Sequence, residues 1–358
     1  MKKLVIDKRA VKSNLQAVKD RAGSAQLYAD LSADAYGLGL LEMAKLLREE
    51  GVHTFAISDP RDAALLRTNS FTDERIMMLR STADSEELSQ LIELNVVCTV
   101  GSYDAAVALN GLAESRGTVC EVQIKVDTGL GRYGFTPEET DKIAAIYKYM
   151  SNLAVVGTFT TLHDRGGKKA VLNQLELFGT VLDNLHGMGY ETGVTHAADD
   201  MALLSYGIAP ADAVRVGLAL SGRLPGRAGA QLIPVGYIAA GLEEVGWFPK
   251  GHHVSGEYVL SAPAKLGVLS VGYYHGFGLV RQADMRGIFA FLRARRSRRT
   301  VRIGDQRALI LGEVGMMHTI IDVTKINCAV GEAVILDIDP INVKGIPRVY
   351  RAEKTEDK

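Results

Sequence analysis

The sequence predicts an α/β chain in which an N-terminal (β/α)8 TIM barrel, residues 1–225, is followed by a C-terminal mainly β domain, residues 226–358. Three observations predict it. Between residues 26 and 216, short apolar runs alternate with helix-length amphipathic runs about eight times, the pattern of parallel strands buried on both faces. After Gly222 the helical periodicity stops, and short strand-like runs separated by Gly and Pro take over. The length of 358 residues, at about 150 per domain, calls for two domains.

The elements follow in order. Residues 26–31 (QLYADL) form a buried strand, and the helix after it carries Leu40, Leu41, Met43, Ala44 and Leu47. Residues 53–58 are the second strand, and Pro60 opens the next helix at a favoured first-turn position. Strands are expected at 76–79, 96–100, 119–126, 153–159, 193–196 and 213–216, with helices at 84–93, 102–115, 137–150 and 169–188. In the last helix Val171, Leu172, Leu175, Phe178, Val181, Leu182 and Leu185 make one apolar stripe at spacings of three and four. A doubly wound open sheet would also alternate, but no GxGxxG follows the first strand. Beyond Gly222, strand-like runs fall at 231–239, 256–260, 265–271, 308–311, 319–323 and 333–336.

Composition narrows the function classes. Lys and Arg number 41 against 42 Asp and Glu, so nucleic-acid binding by overall charge is not expected. Hydrophobic residues make up 47% and charged residues 23%, as in an ordinary folded chain. Cys98, Cys120 and Cys328 are far apart, with no CxxC, which argues against a disulfide framework or a zinc site. No run suits a signal peptide or a membrane span, so a cytoplasmic protein is expected. Arg293, Arg295, Arg296, Arg298, Arg299 and Arg302 crowd one stretch, but without interleaved aromatics they read as a solvated hairpin tip.

The chemistry-bearing motifs sit at strand ends or turns. They are Ala33-Asp34-Ala35-Tyr36-Gly37-Leu38-Gly39, Lys125-Val126-Asp127-Thr128-Gly129-Leu130-Gly131-Arg132-Tyr133-Gly134, Val214-Arg215-Val216-Gly217-Leu218-Ala219-Leu220, Gly272-Tyr273-Tyr274-His275-Gly276 and Pro347-Arg348-Val349-Tyr350. In this order, across essentially the whole chain, they resemble the alanine racemase family of fold type III PLP enzymes. That family shows K-A-[ND]-A-Y-G-H-G, K-x-D-T-G-x-x-R-x-G, V-R-x-G-I-A-x-Y-G, G-Y-x-D-G and a late tyrosine.

The resemblance implies roles residue by residue. Tyr36, the backbone N–H groups of Gly217 and Leu218, and the Tyr350 hydroxyl would meet the cofactor phosphate. Arg215 would face the pyridine nitrogen, keeping it unprotonated and tempering the electron sink. Lys125 matches a lysine that is often carbamylated, and Arg132 the arginine it orients. Tyr273 matches an acid/base tyrosine supplied by the neighbouring subunit, and Met316 a methionine that meets the substrate carboxylate. A head-to-tail homodimer is implied, and the first ~7 residues, 4–6 among them, are placed with the β domain.

The departures shape the functional expectation. Ser32 stands where the family has its Schiff-base lysine, and a serine cannot form an imine. Lys168 and Lys169, in an expected flexible loop, are no evident substitute. In His196-Ala197-Ala198-Asp199-Asp200, a run that matches the family's H-x-A-N-S, Asp200 replaces the phosphate-binding serine and would repel a phosphate. Thr161, Met317, His275 and Leu38 replace further family residues. The expectation is therefore a remnant PLP site with no covalent PLP, at which a small amino-acid-like ligand is bound or transformed. The alternatives are a non-catalytic pseudo-racemase scaffold, or a PLP-dependent amino-acid racemase using another lysine. Asp199 and Asp200 with His163 or His196 form a conceivable metal set, but adjacent Asp residues at a helix start read as caps, and no metal is expected.

Overall fold

The computed structural model describes residues 2–229, 231–256, 258–279 and 300–351. The chain divides into two compact units, Lys12–Leu232, and Met1–Val11 together with Ile233–Lys358. It opens with strand β1 (Lys3–Asp7), which belongs to the second unit, and runs into a helix over Lys8–Ala22.

The first unit is a parallel barrel. Its strands are β2 (Gln26–Asp30), β3 (Thr54–Ile57), β4 (Arg75–Ser81), β5 (Val97–Val100), β6 (Cys120–Val126), β7 (Leu153–Thr160), β8 (Val194–His196) and β9 (Ala213–Val216). They lie in the order β8-β7-β6-β5-β4-β3-β2-β9. The ring closes where Asp212 N–H donates to the Thr195 carbonyl and Arg215 N–H to the Ala198 carbonyl, both at 3.1 Å. Alternate residues of a strand face opposite ways. Tyr28, Met77, Val97, Phe159 and Ala213, from five different strands, therefore meet as one buried cluster inside the ring. A TIM barrel is packed in this way, which leaves its chemistry to the C-terminal ends of the strands.

Helices cover the outside because their apolar stripes need the strands' outward faces. Leu40–Glu49 buries Leu40, Met43, Ala44, Leu46 and Leu47. Asp59, Asp84 and Ser102 cap the helices that follow them by accepting from first-turn N–H groups, each worth about 1 kcal/mol. The helix Gly167–Gly187 departs from its expected stripe. It buries Val171, Gln174, Phe178, Val181 and Leu185, while Leu172 faces out. Gln174 takes the inner place because its amide straps the preceding loop, accepting from His163 N–H at 3.0 Å and donating to His163 O at 2.9 Å. Lys168 and Lys169, expected in a loop, lie in this helix's first turn.

The second unit is mainly antiparallel. Its strands after β1 are β10 (Tyr237–Phe248), β11 (His253–Val254), β12 (Tyr258–Val259), β13 (Ala264–Leu269), β14 (Thr300–Ile303), β15 (Gln306–Ile310), β16 (Thr319–Asp322), β17 (Ala333–Asp337) and β18 (Arg348–Arg351). The large sheet runs β13-β16-β15-β14-β17-β10-β1-β18, with an additional β10–β13 pairing. A register shift between Leu242 and Glu244 lets one long strand do both: its first half pairs with β1 and β17, its second half with β13. Arg302 is exposed on β14, whereas Arg293, Arg295, Arg296, Arg298 and Arg299 lie outside the described residues. No helix among the described residues is long and apolar enough to cross a membrane.

Ile6 is 0% exposed and sits between β10 and β18. Ile6→Ala is expected to cost about 2–5 kcal/mol, the range for emptying a buried aliphatic site. Urea unfolding followed by circular dichroism measures it, as a lower midpoint at unchanged slope.

Candidate active site at the barrel mouth

A polar relay crosses the barrel near its C-terminal end. Arg215, on β9, is only 6% exposed and donates from one terminal nitrogen to His196 Nδ1 at 2.5 Å. The other terminal nitrogen donates to the Thr160 carbonyl at 2.8 Å and to Thr161 Oγ1 at 3.4 Å. Because guanidinium can only donate, His196 Nδ1 accepts, and its Nε2–H donates to Gln123 Oε1 at 2.6 Å. Gln123 in turn donates to the Tyr28 hydroxyl at 3.3 Å. Burial, and then the Arg215 cation, hold His196 well below the usual imidazole range, so it stays neutral. The His196 ring stacks on Phe159 with centroids 4.9 Å apart, which fixes its plane.

Just beyond β9, three backbone N–H groups converge on one carboxylate. Asp200 Oδ2 accepts from Gly217 at 3.1 Å and Leu218 at 2.9 Å, and Oδ1 accepts from Ala219 at 3.1 Å. The preceding Asp199 caps the short helix Asp200–Leu204 by accepting from Ala202 N–H. Burial pushes the Asp200 carboxyl up to about 7, with the Asp199 charge adding to the rise and the three N–H groups opposing it. Gly217 is required here. A Cβ at that position would lie 2.5 Å from the Tyr36 ring.

After β2 the backbone makes one left-handed turn. Ala33, Asp34, Ala35 and Tyr36 all have φ between 53° and 58°. Such residues cost about 1–2 kcal/mol each and persist only where surroundings enforce them. Asp30 does much of that, its Oδ1 accepting from Ser32 N–H at 2.9 Å and its Oδ2 from the Tyr36 hydroxyl at 3.1 Å. Burial, followed by the Asp30 and Asp200 charges, raises the Tyr36 hydroxyl far above its ordinary range. The Ser32 hydroxyl pairs with that of Ser58.

Lys125, on β6, shares the inward face with Gln123 two residues earlier. It is 2% exposed, and its Nζ lies 5.7 Å from the Phe159 ring centre and 5.5 Å from that of Tyr133. Burial, and then Arg132 and Arg215, bring its amine down to about 8. Asp127 organises the following loop, its Oδ1 accepting from the N–H groups of Gly129, Leu130 and Gly131. Arg132 is exposed on that loop.

The remaining predicted residues lie in the β unit. Tyr273 N–H donates to the Gly315 carbonyl and Tyr274 N–H to that of Met316, so Tyr273 and Met316, both exposed, are neighbours. Behind them, buried His275 accepts from Gly272 N–H, and Lys2 Nζ lies 2.8 Å from its other ring nitrogen. Tyr350 is paired with Ile6, and Lys8 lies over its ring at 5.5 Å. Asp30, Gln123, Thr160 and Phe159 were not singled out from sequence. Gln123 carried a usable signal, a large amide inside an apolar strand, which when buried needs partners. Among the described residues no group of three or more His, Cys, Asp or Glu is arranged to hold a metal ion.

Two expectations follow. Ala33 is exposed, so Ala33→Gly relieves a left-handed residue without emptying the core and is expected to raise stability by about 1 kcal/mol in thermal unfolding. Asp200, held above its ordinary value, keeps a proton in the folded chain between about pH 4 and 7 that the unfolded chain releases. Its contribution is therefore full at low pH and is lost as the pH rises through 7. Measured against Asp200→Asn across that window, the wild type should gain relative stability on acidification.

Comparison with known proteins gives the site a family. The family model described as "Alanine racemase, N-terminal domain" matches residues 6–225, and the one described as "Alanine racemase, C-terminal domain" matches residues 235–346. An alanine racemase of Carboxydothermus hydrogenoformans is 31% identical over 286 residues, 78% of this chain and 76% of the relative. One of Halothermothrix orenii is 29% identical over 340 residues, 92% of this chain and 86% of the relative. The crystal structure of alanine racemase from Streptomyces lavendulae superposes with a TM-score of 0.84 at 25% identity, covering 98% of this chain and 97% of that one. These findings correct the expectation that PLP would not be held covalently: the relatives are alanine racemases, and PLP is the cofactor that the family implies. With both of its domain models matched in order along one chain, this protein belongs to the alanine racemase family.

Proposed function

We propose that a small amino-acid-like ligand is bound and transformed at the barrel mouth, in isomerase chemistry of the family's kind. The observation that carries this is the presence of charges of both signs within the barrel unit. Arg215, Lys125 and Arg132 act on one another as neighbouring cations, while Asp30, Asp199 and Asp200 are the anions felt by Tyr36 and Arg215. A zwitterionic amino acid matches such a mouth, its carboxylate drawn to the cations and its ammonium to the carboxylates.

The residues present also fit the family's cofactor at two points. The N–H groups of Gly217, Leu218 and Ala219 already converge on an anion, and a phosphate would take the same donors once Asp200 withdrew. Arg215 is the cation available to a pyridine nitrogen, with Tyr36 beside the cradle. When bound, PLP supplies an electron sink that makes an amino acid's α-hydrogen acidic. The chain's own work is positional. His196, locked as a neutral acceptor, keeps Arg215 aimed, and Phe159 and Tyr28 hold the imidazole in plane. Tyr273 and Met316 enter as acid/base and carboxylate-binding groups from a second copy paired head to tail.

Thermal shift with a panel of D- and L-amino acids, with and without PLP, tests this, and chiral chromatography of the same samples reads any interconversion. A ligand at 100 times its Kd should stabilise by about 2.7 kcal/mol. Arg132→Ala should weaken it by about tenfold, the loss of one charged contact. A panel with no shift and no interconversion overturns the proposal.

A further inference from the structure

Among the described residues, Lys125 is the lysine whose whole side chain is buried. Several other described lysines are answered: Lys12 by Glu50, Lys45 by Glu42, Lys142 by Glu139, Lys265 by the Cys328 carbonyl. Around the Lys125 Nζ, no carboxylate or hydrogen-bond acceptor of the described residues lies at pairing distance. The faces of Phe159 and Tyr133 lie against it instead, and the Arg132 and Arg215 charges further disfavour its protonated form. Asp127, its nearest acidic influence, commits Oδ1 to three backbone N–H groups of its own loop. A structural lysine would be paired; one kept desolvated beside like charge is poised to lose its proton and act as a nucleophile.

We propose that Lys125 is a carbonyl-reactive amine, the residue of this barrel mouth that condenses with an aldehyde. The neutral Nζ adds its lone pair to the carbonyl carbon. The carbonyl oxygen then leaves as water with the two protons that the nitrogen gives up, and a carbon–nitrogen double bond remains. No oxidant or reductant takes part. Ser32, Ser58 and Tyr36 offer only hydroxyl groups at the β2 side of the mouth, so the amine comes from the β6 side. An amine brought down to about 8 has a large reactive fraction near neutral pH, where an ordinary exposed lysine near 10.4 has almost none. Burial sets this first and the Arg132 and Arg215 charges add to it, while Asp127 opposes it; Tyr133 and Phe159 are the rings that face the amine. The inference rests on the proposed function only for the location of the site.

The test is trapping. The full-length protein is incubated with substoichiometric pyridoxal 5'-phosphate, and in parallel with pyridoxal, then reduced with borohydride, digested and mapped by mass spectrometry. The adduct should fall predominantly on Lys125, with labelling that reaches half its maximum near pH 8. Lys125→Arg, which keeps the charge, should lower total labelling at pH 7.5 by at least tenfold while its circular dichroism is unchanged. If that variant fails to fold, the peptide map and pH profile of the wild type still decide. Adduct spread over surface lysines, absence of adduct on Lys125, or a carbamate found there in its place overturns the inference. Alanine binding with no label on Lys125 would sink this inference alone, whereas label on Lys125 with no amino-acid binding would sink the proposed function alone.

Discussion

A full positive charge held inside a barrel has to be answered by acceptors, and the interior of this barrel is arranged around that requirement. Leaving a guanidinium desolvated and unpaired would cost far more than the few kcal/mol by which a domain is stable. Arg215 meets the requirement with a carbonyl, a hydroxyl and the one imidazole nitrogen that can accept. Each answer constrains a further residue. His196 must be neutral and in a single tautomer, Gln123 must turn its oxygen toward it, and Tyr28 must take the amide's hydrogen. Five strands are thereby tied together by polar groups where the apolar cluster ends, so the layer of the barrel that faces the mouth is rigid.

On that rigid layer sit groups whose electrostatics are not balanced. Asp200 occupies a cradle of N–H donors that would suit any small anion, yet burial leaves it reluctant to carry its charge. Lys125 is desolvated among aromatic faces and other cations, and is reluctant in the opposite sense. Unsettled ionisation of both signs in one mouth is typical of sites that take up a charged ligand or exchange protons. The strained left-handed turn between β2 and the next helix belongs to the same economy, since Asp30 holds it in place with the carboxylate that also holds Tyr36.

The barrel could be read from local patterns because each strand–helix unit carries its own period. Strands at 96–100 and 213–216 were legible as short apolar runs between turn signals; β5 begins one residue later than expected, and β9 begins and ends where they placed it. The face of the helix Gly167–Gly187 was legible only roughly, since Gln174 displaced Leu172 from the inner side to bind the His163 backbone. Within the site, the motif residues were legible as identities but not as partners. Nothing in the spacing of Asp199 and Asp200 says that one caps a helix while the other turns back to hold the N–H groups of 217, 218 and 219. The tie between Gln123 and His196 spans 73 positions, and no local rule reaches that far.

By itself, then, the sequence determined the layering: where the barrel's strand–helix units recur, roughly which faces are apolar, and that a barrel is followed by a β unit. Those follow from periods of two and 3.6 residues, which are properties of neighbours along the chain. Tertiary structure alone decided the ionisation of the site. It is burial, and the charges brought near by closing the ring, that make His196 neutral, hold Asp200 close to its neutral form and leave Lys125 the unanswered amine. Proton affinity depends on distance and desolvation in space, and both come into being only when the ring closes and its end strands, β8 and β9, meet.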